Sequence, residues 1–175
     1  LRQIKEEPEI IAVPHIDLVR DPVSMEYIQT PDNITYTLTW SLSIRPFEIT
    51  EIGSEESDSL STPLVVDAPA MRGDVFAVSK KHFLKLGGYD SNLEEYGGGE
   101  NVDMSLKAWL CGKGIKTVLC SRVGVVNAHD PVKVRSEANR LRLADLWLPE
   151  ENHRSAVFKS IGYKVDGPGN DYRDF

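Results

Sequence analysis

Residues 69–120, PAMRGDVFAVSKKHFLKLGGYDSNLEEYGGGENVDMSLKAWLCGKGIKTVLC, hold a short apolar run, a helix signal, a glycine turn and an acid-headed amphipathic segment. Asp74 to Val78 suits a buried strand, and Ser79 stands as the N-cap of a helix over Lys80 to Leu86. Gly87 and Gly88 stop that helix. Further on, Tyr96-Gly97-Gly98-Gly99-Glu100-Asn101 lets the backbone turn sharply and leaves room for a ligand to approach the main chain. Glu100 then opens a second helix. Its Val102, Leu106, Trp109 and Leu110 are expected on one face, and Asp103 with Lys107 as an acid-before-base pair on the other. Cys111-Gly112 marks the helix end and Ile115 to Leu119 the next strand. A carboxylate at a glycine turn between two strands falls at the rim of an α/β sheet, where ligands commonly sit.

Outward from this stretch, Ile10 to Val13 and Ile16 to Val19 read as a strand kinked at Pro14. Residues 1–9 read as the end of a helix stopped near Pro8. From Ile34 to Ile44 apolar residues alternate with Thr and Ser, which predicts one half-buried, antiparallel strand. Glu48 to Ser61 carries five acids and five Ser or Thr residues and is expected to be a flexible acidic loop. Leu64 to Asp67 begins another strand, and Val123 to Val126 a short one. Arg135 to Leu148 is a helix with Ala138, Leu141, Ala144 and Leu148 on its apolar face, ended by Pro149. Residues 151–175 are weakly patterned and read as a tail or linker.

The 175 residues, 41% hydrophobic, suit one α/β domain with a mixed sheet flanked by helices. A net charge of -7 without basic runs argues against a nucleic-acid partner. No stretch approaches the roughly 18 apolar residues of a membrane span. Cys111 and Cys120 are either reduced core residues or one bridge across the turn between them. Asn33-Ile34-Thr35 is a glycosylation sequon that matters in a secretory lumen.

Several ordered motifs carry a family resemblance. G-x-x-F-A-V-S from Gly73, F-L-K-L-G-G-Y-D from Phe83, and Gly98-Gly99-Glu100-Asn101 with a helix ending Trp109-Leu110-Cys111-Gly112 closely resemble the acceptor-side half of polypeptide N-acetylgalactosaminyltransferases. They resemble β-1,4-galactosyltransferases more loosely. Pro14-His15-Ile16-Asp17, Trp40-Ser41-Leu42, Cys120-Ser121-Arg122-Val123-Gly124 and Asn139-Arg140 to Leu146-Trp147 extend the match over residues 1–150. The resemblance implies the C-terminal half of a GT-A-type, Rossmann-like catalytic domain. It implies Mn²⁺-dependent, retaining transfer of GalNAc from UDP-GalNAc to Ser or Thr of a peptide acceptor, in the Golgi lumen, by the lumenal part of a type II membrane protein.

Under that resemblance Glu100 and Asn101 are the catalytic candidates, with Glu100 gripping the sugar. Gly73, Tyr96, Gly98 and Gly99 border the nucleotide sugar, and either Tyr96 or Gly97 takes the place of the family's Trp. The departures are specific. The family's A-G-G is Arg72-Gly73-Asp74 here, and its metal-binding His after V-G is Val125. A nucleotide-contacting Arg three positions later is Ala128, and no D-x-H occurs in the chain. His129 is the nearest imidazole and the one candidate metal ligand. A transferase fragment, a degenerate transferase-like domain that binds glycan or peptide, and a purely structural domain in which Glu100 only caps its helix are the three readings.

Overall fold

The structure is a computed structural model that describes residues 1–20, 23–49, 65–95, 98–126, 132–133 and 136–162. The helix α1 (Arg2–Glu6) leads into β1 (Ile11–Val19), the centre of a five-stranded mixed sheet. β7 (Ile115–Val126) lies parallel to β1, and β5 (Val65–Ala68) runs antiparallel on the far side of β7. The other edge of β1 is shared between two short antiparallel strands. β6 (Ala77–Val78) takes its start and β2 (Tyr27–Ile28) its end.

Pro14 shapes the β1–β7 ladder. Pro14 lies opposite Val118, but His15 lies opposite Arg122, so Leu119, Cys120 and Ser121 bulge out of β7 at that step. A proline cannot donate to the ladder, and the strand absorbs the gap as a bulge. The segments 115–119 and 123–126, expected as separate strands, are therefore one strand of 12 residues with an irregular middle.

The alternating run from Ile34 is a hairpin rather than the single strand its period predicts. β3 (Ile34–Leu38) turns at Thr39–Leu42 into β4 (Ser43–Glu48), and β8 (Val132–Lys133) pairs with β4. Hydroxyls make the turn: Thr39 Oγ1 accepts from the Ser43 amide at 3.2 Å and contacts Ser41 Oγ at 2.9 Å. Leu42 adopts a φ of 54° within it. Such local side-chain bonds replace ladder bonds and end a strand that hydrophobic period alone would continue. Trp40, carried on this turn, is exposed, with its ring centroid 6.1 Å from that of His153. Thr35, on the nominally polar side, is buried against the sheet with Oγ1 3.0 Å from Thr117 Oγ1.

The helices flank the sheet as expected. α2 (Lys80–Lys85) is capped by Ser79, whose Oγ accepts from the His82 amide at 3.1 Å, and it ends at Gly87 and Gly88, both at positive φ. α3 (Glu100–Cys111) lies between two apolar clusters. Met104 and Ala108 pack with Ile11, Val13 and Ile115, while Val102 packs with Ile44, Leu143 and Phe158. Being enclosed on several sides, α3 buries Asn101, Asp103 and Ser105 as well, and leaves Leu110 66% exposed. The expected one-sided apolar face including Trp109 and Leu110 is thus absent, and the expected Asp103–Lys107 pair forms at 2.6 Å in the interior.

α4 (Glu137–Trp147) starts at the Ser136 cap and buries Leu141, Leu143 and Ala144, with Ala138 exposed. The stretch from 151, expected as a tail, forms α5 (Glu151–Ser160), whose Val157 and Phe158 complete the second cluster. Cys111 and Cys120 are free and exposed, which removes both the bridge and the buried-thiol expectation. The expected acidic loop beyond Ile49, the segment 127–131 and residues 163–175 lie outside the described residues. No described helix is long and apolar enough to cross a membrane.

Candidate functional site

The site is built where the 70–74 segment meets the N-terminus of α3. Gly98 and Gly99 have φ of 75° and 109°, and Gly99 is the N-cap of α3 without a side chain to occupy the helix mouth. This conformation suits glycine, and it puts no side chain over the first turn's amides. Glu100 is partly buried and accepts a hydrogen bond from Asn101 Nδ2 at 3.0 Å through Oε1. The Asn101 carbonyl accepts from Ser105 Oγ at 2.6 Å, and Ser105 Oγ accepts from the Met71 amide at 3.1 Å. One hydroxyl thus ties the helix to the strand-exit segment.

Gly73 closes the contact from the other side. It adopts a φ of 86°, and a Cβ there would stand 1.9 Å from Asn101 Oδ1. Only glycine admits the Asn101 amide at that distance. Arg72 is 8% exposed, its Nε donates to Asp74 Oδ2 at 2.7 Å, and its guanidinium lies 5.6 Å from the Tyr36 ring centroid. Tyr89 lies near this corner with its ring edge-on to Phe83. Burial first, and then the negative charge of Glu100, push its phenol above the ordinary value. Tyr96 and Gly97 lie outside the described residues.

A second layer holds the glycine turn; the sequence marks Asp103 and Lys107 only as a pair along the helix, and Asn139 and Trp147 only as ends of a resemblance segment. Asn139 of α4 is 1% exposed and uses its whole amide on the 94–98 segment. Its Oδ1 accepts from the Glu94 amide at 2.7 Å, and its Nδ2 donates to the carbonyls of Glu94 at 3.2 Å and Gly98 at 2.8 Å. Arg142 forks onto Asp90 at 2.6 and 3.1 Å and draws that carboxyl below its ordinary value. Lys107 donates to the Gly88 carbonyl at 2.9 Å, and Trp147 Nε1 donates to Asp103 Oδ1 at 3.0 Å. The available signal was helical spacing: Asn139, Arg142 and Trp147 fall on one side of α4, polar groups on a helix whose other buried positions are apolar.

At the far end of β1 lies a separate polar cluster. Asp17 is fully buried and accepts from Arg122 Nε at 2.8 Å and Nη2 at 2.6 Å, from the Thr30 amide at 2.8 Å, and from the Tyr27 hydroxyl. Burial alone would raise the Asp17 carboxyl, yet the hydrogen bonds from Arg122, Tyr27 and Thr30 outweigh it and hold the group far below the carboxylate range. His15, 2% exposed, has Nε2 2.7 Å from Thr30 Oγ1; burial first and then Arg122 lower its pKa. This cluster locks the bulged halves of β1 and β7 together.

The metal candidate His129 is not tested by the described residues. Val125, opposite Leu18 in the sheet, has no ligating atom, and His129 lies outside the described residues. Among the described residues no group of three or more His, Cys, Asp or Glu side chains could hold a metal ion.

The chain superposes on the crystal structure of GalNAc-T7 with UDP, GalNAc and Mn²⁺ with a TM-score of 0.69 and 25% identity, over 90% of this chain and 29% of that one. Its mixed sheet with flanking helices is that of a GT-A-type glycosyltransferase fold. Among curated proteins it is 33% identical over 172 residues to probable N-acetylgalactosaminyltransferase 8 of Caenorhabditis elegans, covering 94% of this chain and 39% of the relative. It is 35% identical over 171 residues to polypeptide N-acetylgalactosaminyltransferase 3 of Drosophila melanogaster, covering 91% and 25%. It is also 31% identical over 156 residues to the inactive polypeptide N-acetylgalactosaminyltransferase-like protein 5 of Macaca fascicularis, covering 86% and 34%. No protein-family model matches the chain. The chain belongs to the polypeptide N-acetylgalactosaminyltransferase family and spans about two fifths or less of the length of these relatives.

Proposed function

We propose that the full protein transfers GalNAc from UDP-GalNAc to Ser or Thr hydroxyls of polypeptides, and that this chain supplies the acceptor-side half of its catalytic domain. Glu100 accepts hydrogen bonds from the donor sugar's hydroxyls, and Asn101 fixes the carboxylate for that task. Gly73 admits the Asn101 amide beside it, Gly98 and Gly99 add no side chain at the start of α3, and Tyr96 borders the nucleotide sugar. The observation that carries this reading is the 3.0 Å Asn101–Glu100 bond at the N-terminus of α3, with the Asn101 amide packed against Gly73. A charge-assisted hydrogen bond donated by a sugar hydroxyl to a fixed carboxylate orients an anomeric carbon without reorganisation at the moment of transfer.

A divalent cation, Mn²⁺ by family, would neutralise the departing diphosphate. The described residues do not fit such a site, because the Val125 side chain offers no donor atom and no described group of three or more His, Cys, Asp or Glu side chains could hold a metal ion. Residence in the Golgi lumen, as the lumenal part of a type II membrane protein, belongs to the same proposal.

A second reading has its own observation. Arg72 and Asp74, an ion pair with the Arg72 side chain only 7% exposed, flank Gly73 where the family has small residues. A domain so altered, without metal-dependent transfer, would bind glycan or peptide only. Calorimetry of UDP and UDP-GalNAc on the full-length protein, with and without Mn²⁺, separates the two. Transfer predicts tighter binding of UDP-GalNAc than of UDP. Absence of binding for both nucleotides under both conditions would overturn it in favour of the binding-only domain.

A further inference from the structure

The sequon Asn33-Ile34-Thr35 meets β3 at its first residue, and the structure gives its three members different fates. Asn33 is the third residue of a four-residue turn, closed by the Ile34 amide donating to the Pro31 carbonyl at 3.3 Å. The turn stands at the open end of the hairpin, where the adjacent Asp32 side chain is 71% exposed. The Asn33 carbonyl is engaged by the Ile49 amide at 2.8 Å, so the backbone is fixed while the side chain points toward solvent-exposed Glu48. Asn33 Nδ2 donates to Glu48 Oε1 at 2.8 Å in an exposed pair. A glycosylated amide keeps one N–H, so that bond survives attachment of a sugar at Nδ2.

Thr35 differs. It is 1% exposed and its hydroxyl is spent on Thr117. The hydroxyl is therefore free to be read by a glycosylating enzyme only before β3 docks on the sheet, which fits modification of a nascent chain. We propose that Asn33 carries an N-linked oligosaccharide. The proposal rests on the lumenal residence put forward above.

The donor is a lipid-diphosphate-linked oligosaccharide. A bond forms between Asn33 Nδ2 and the anomeric carbon, the bond from that carbon to the diphosphate oxygen breaks, the lipid diphosphate leaves with the electron pair, and the displaced amide proton passes to a base of the glycosylating enzyme.

The test is expression of the full-length protein in cultured animal cells, with protease protection of intact microsomes to fix its side of the membrane. Peptide mapping follows after enzymatic release of N-glycans in ¹⁸O water. The expected result is a protected protein in which most of residue 33 is read as ¹⁸O-labelled aspartate. Asn33→Gln should lose the glycan and remain folded, since the longer amide still reaches Glu48. Thr35→Ser should keep both the glycan and the Thr117 contact, whereas Thr35→Ala loses the glycan and also strands the Thr117 hydroxyl. Unmodified Asn33 in a lumen-protected protein would overturn the site while leaving the transferase reading intact. A protein digested from the cytosolic side would overturn the lumenal reading and the glycan together.

Discussion

Replacement of Asn139 tests whether α4 holds the glycine turn in place. Asn139→Ala removes three hydrogen bonds at once, to the Glu94 amide and to the Glu94 and Gly98 carbonyls, from a side chain that is 1% exposed. At roughly 1 kcal/mol net for each bond, and more where the stranded partner stays dry, the expected cost is about 2 to 4 kcal/mol. Glu94 is exposed, so water recovers part of its loss and the Gly98 carbonyl bears the rest. Asn139→Asp keeps the bond from the Glu94 amide but sets a carboxylate oxygen against two carbonyls, so it should cost at least as much. Hydrogen exchange on the full-length protein reads the effect locally. Protection of the Glu94 amide and of the first turn of α3 should fall by about 30- to 700-fold, the rate equivalent of that energy, while the β1–β7 ladder is unchanged. If exchange shifts by less than the equivalent of about 0.5 kcal/mol, α4 does not hold the turn.

Further outcomes follow from the same geometry. Gly73→Ala should lose about 2 kcal/mol or more, because its positive φ disfavours a Cβ and that Cβ would displace the Asn101 amide; thermal unfolding reads it, and stabilisation of the kind seen at an open site would contradict the contact. Stability should fall as pH drops below about 6.5, because His15 is neutral when folded and binds its proton more readily when unfolded, and fall again below about 4 as the depressed Asp17 carboxyl is forced to protonate. Both groups have folded pKa values lowered from the unfolded ones, so both stabilise above the unfolded value and lose that contribution toward acid. His15→Gln should flatten the upper part of the denaturant-midpoint profile and leave the lower part in place.

The site's frame was largely legible because local chemistry sets it. Ser79 and Gly87-Gly88 bound α2, and Glu100 after the glycines begins α3, since capping and left-handed turns depend on a few neighbouring residues. What escaped depends on what packs where. The Ile34–Ile44 alternation continues through a turn made by Thr39 and Ser41 hydroxyls, which period-2 reasoning treats as ordinary polar positions. α3 buries Asp103 because Lys107 and Trp147 come to meet it, and no pattern within the helix announces a partner 44 residues away. α5 looked unpatterned because only Val157 and Phe158 reach the core. The Asn139 clamp was visible as a residue but not as a bond, because its partners are backbone atoms of another loop.

Calorimetric titration of UDP-GalNAc into full-length wild type and Glu100→Gln decides whether Glu100 holds the donor sugar or merely heads a helix. As a helix-terminal charge alone, Glu100 would contribute about 0.3 to 1 kcal/mol to stability and nothing to affinity. As a sugar-binding carboxylate, its replacement by a neutral amide should weaken donor binding at least about tenfold, or about 1.4 kcal/mol. Measurable and equal affinities for the two proteins would contradict the assignment.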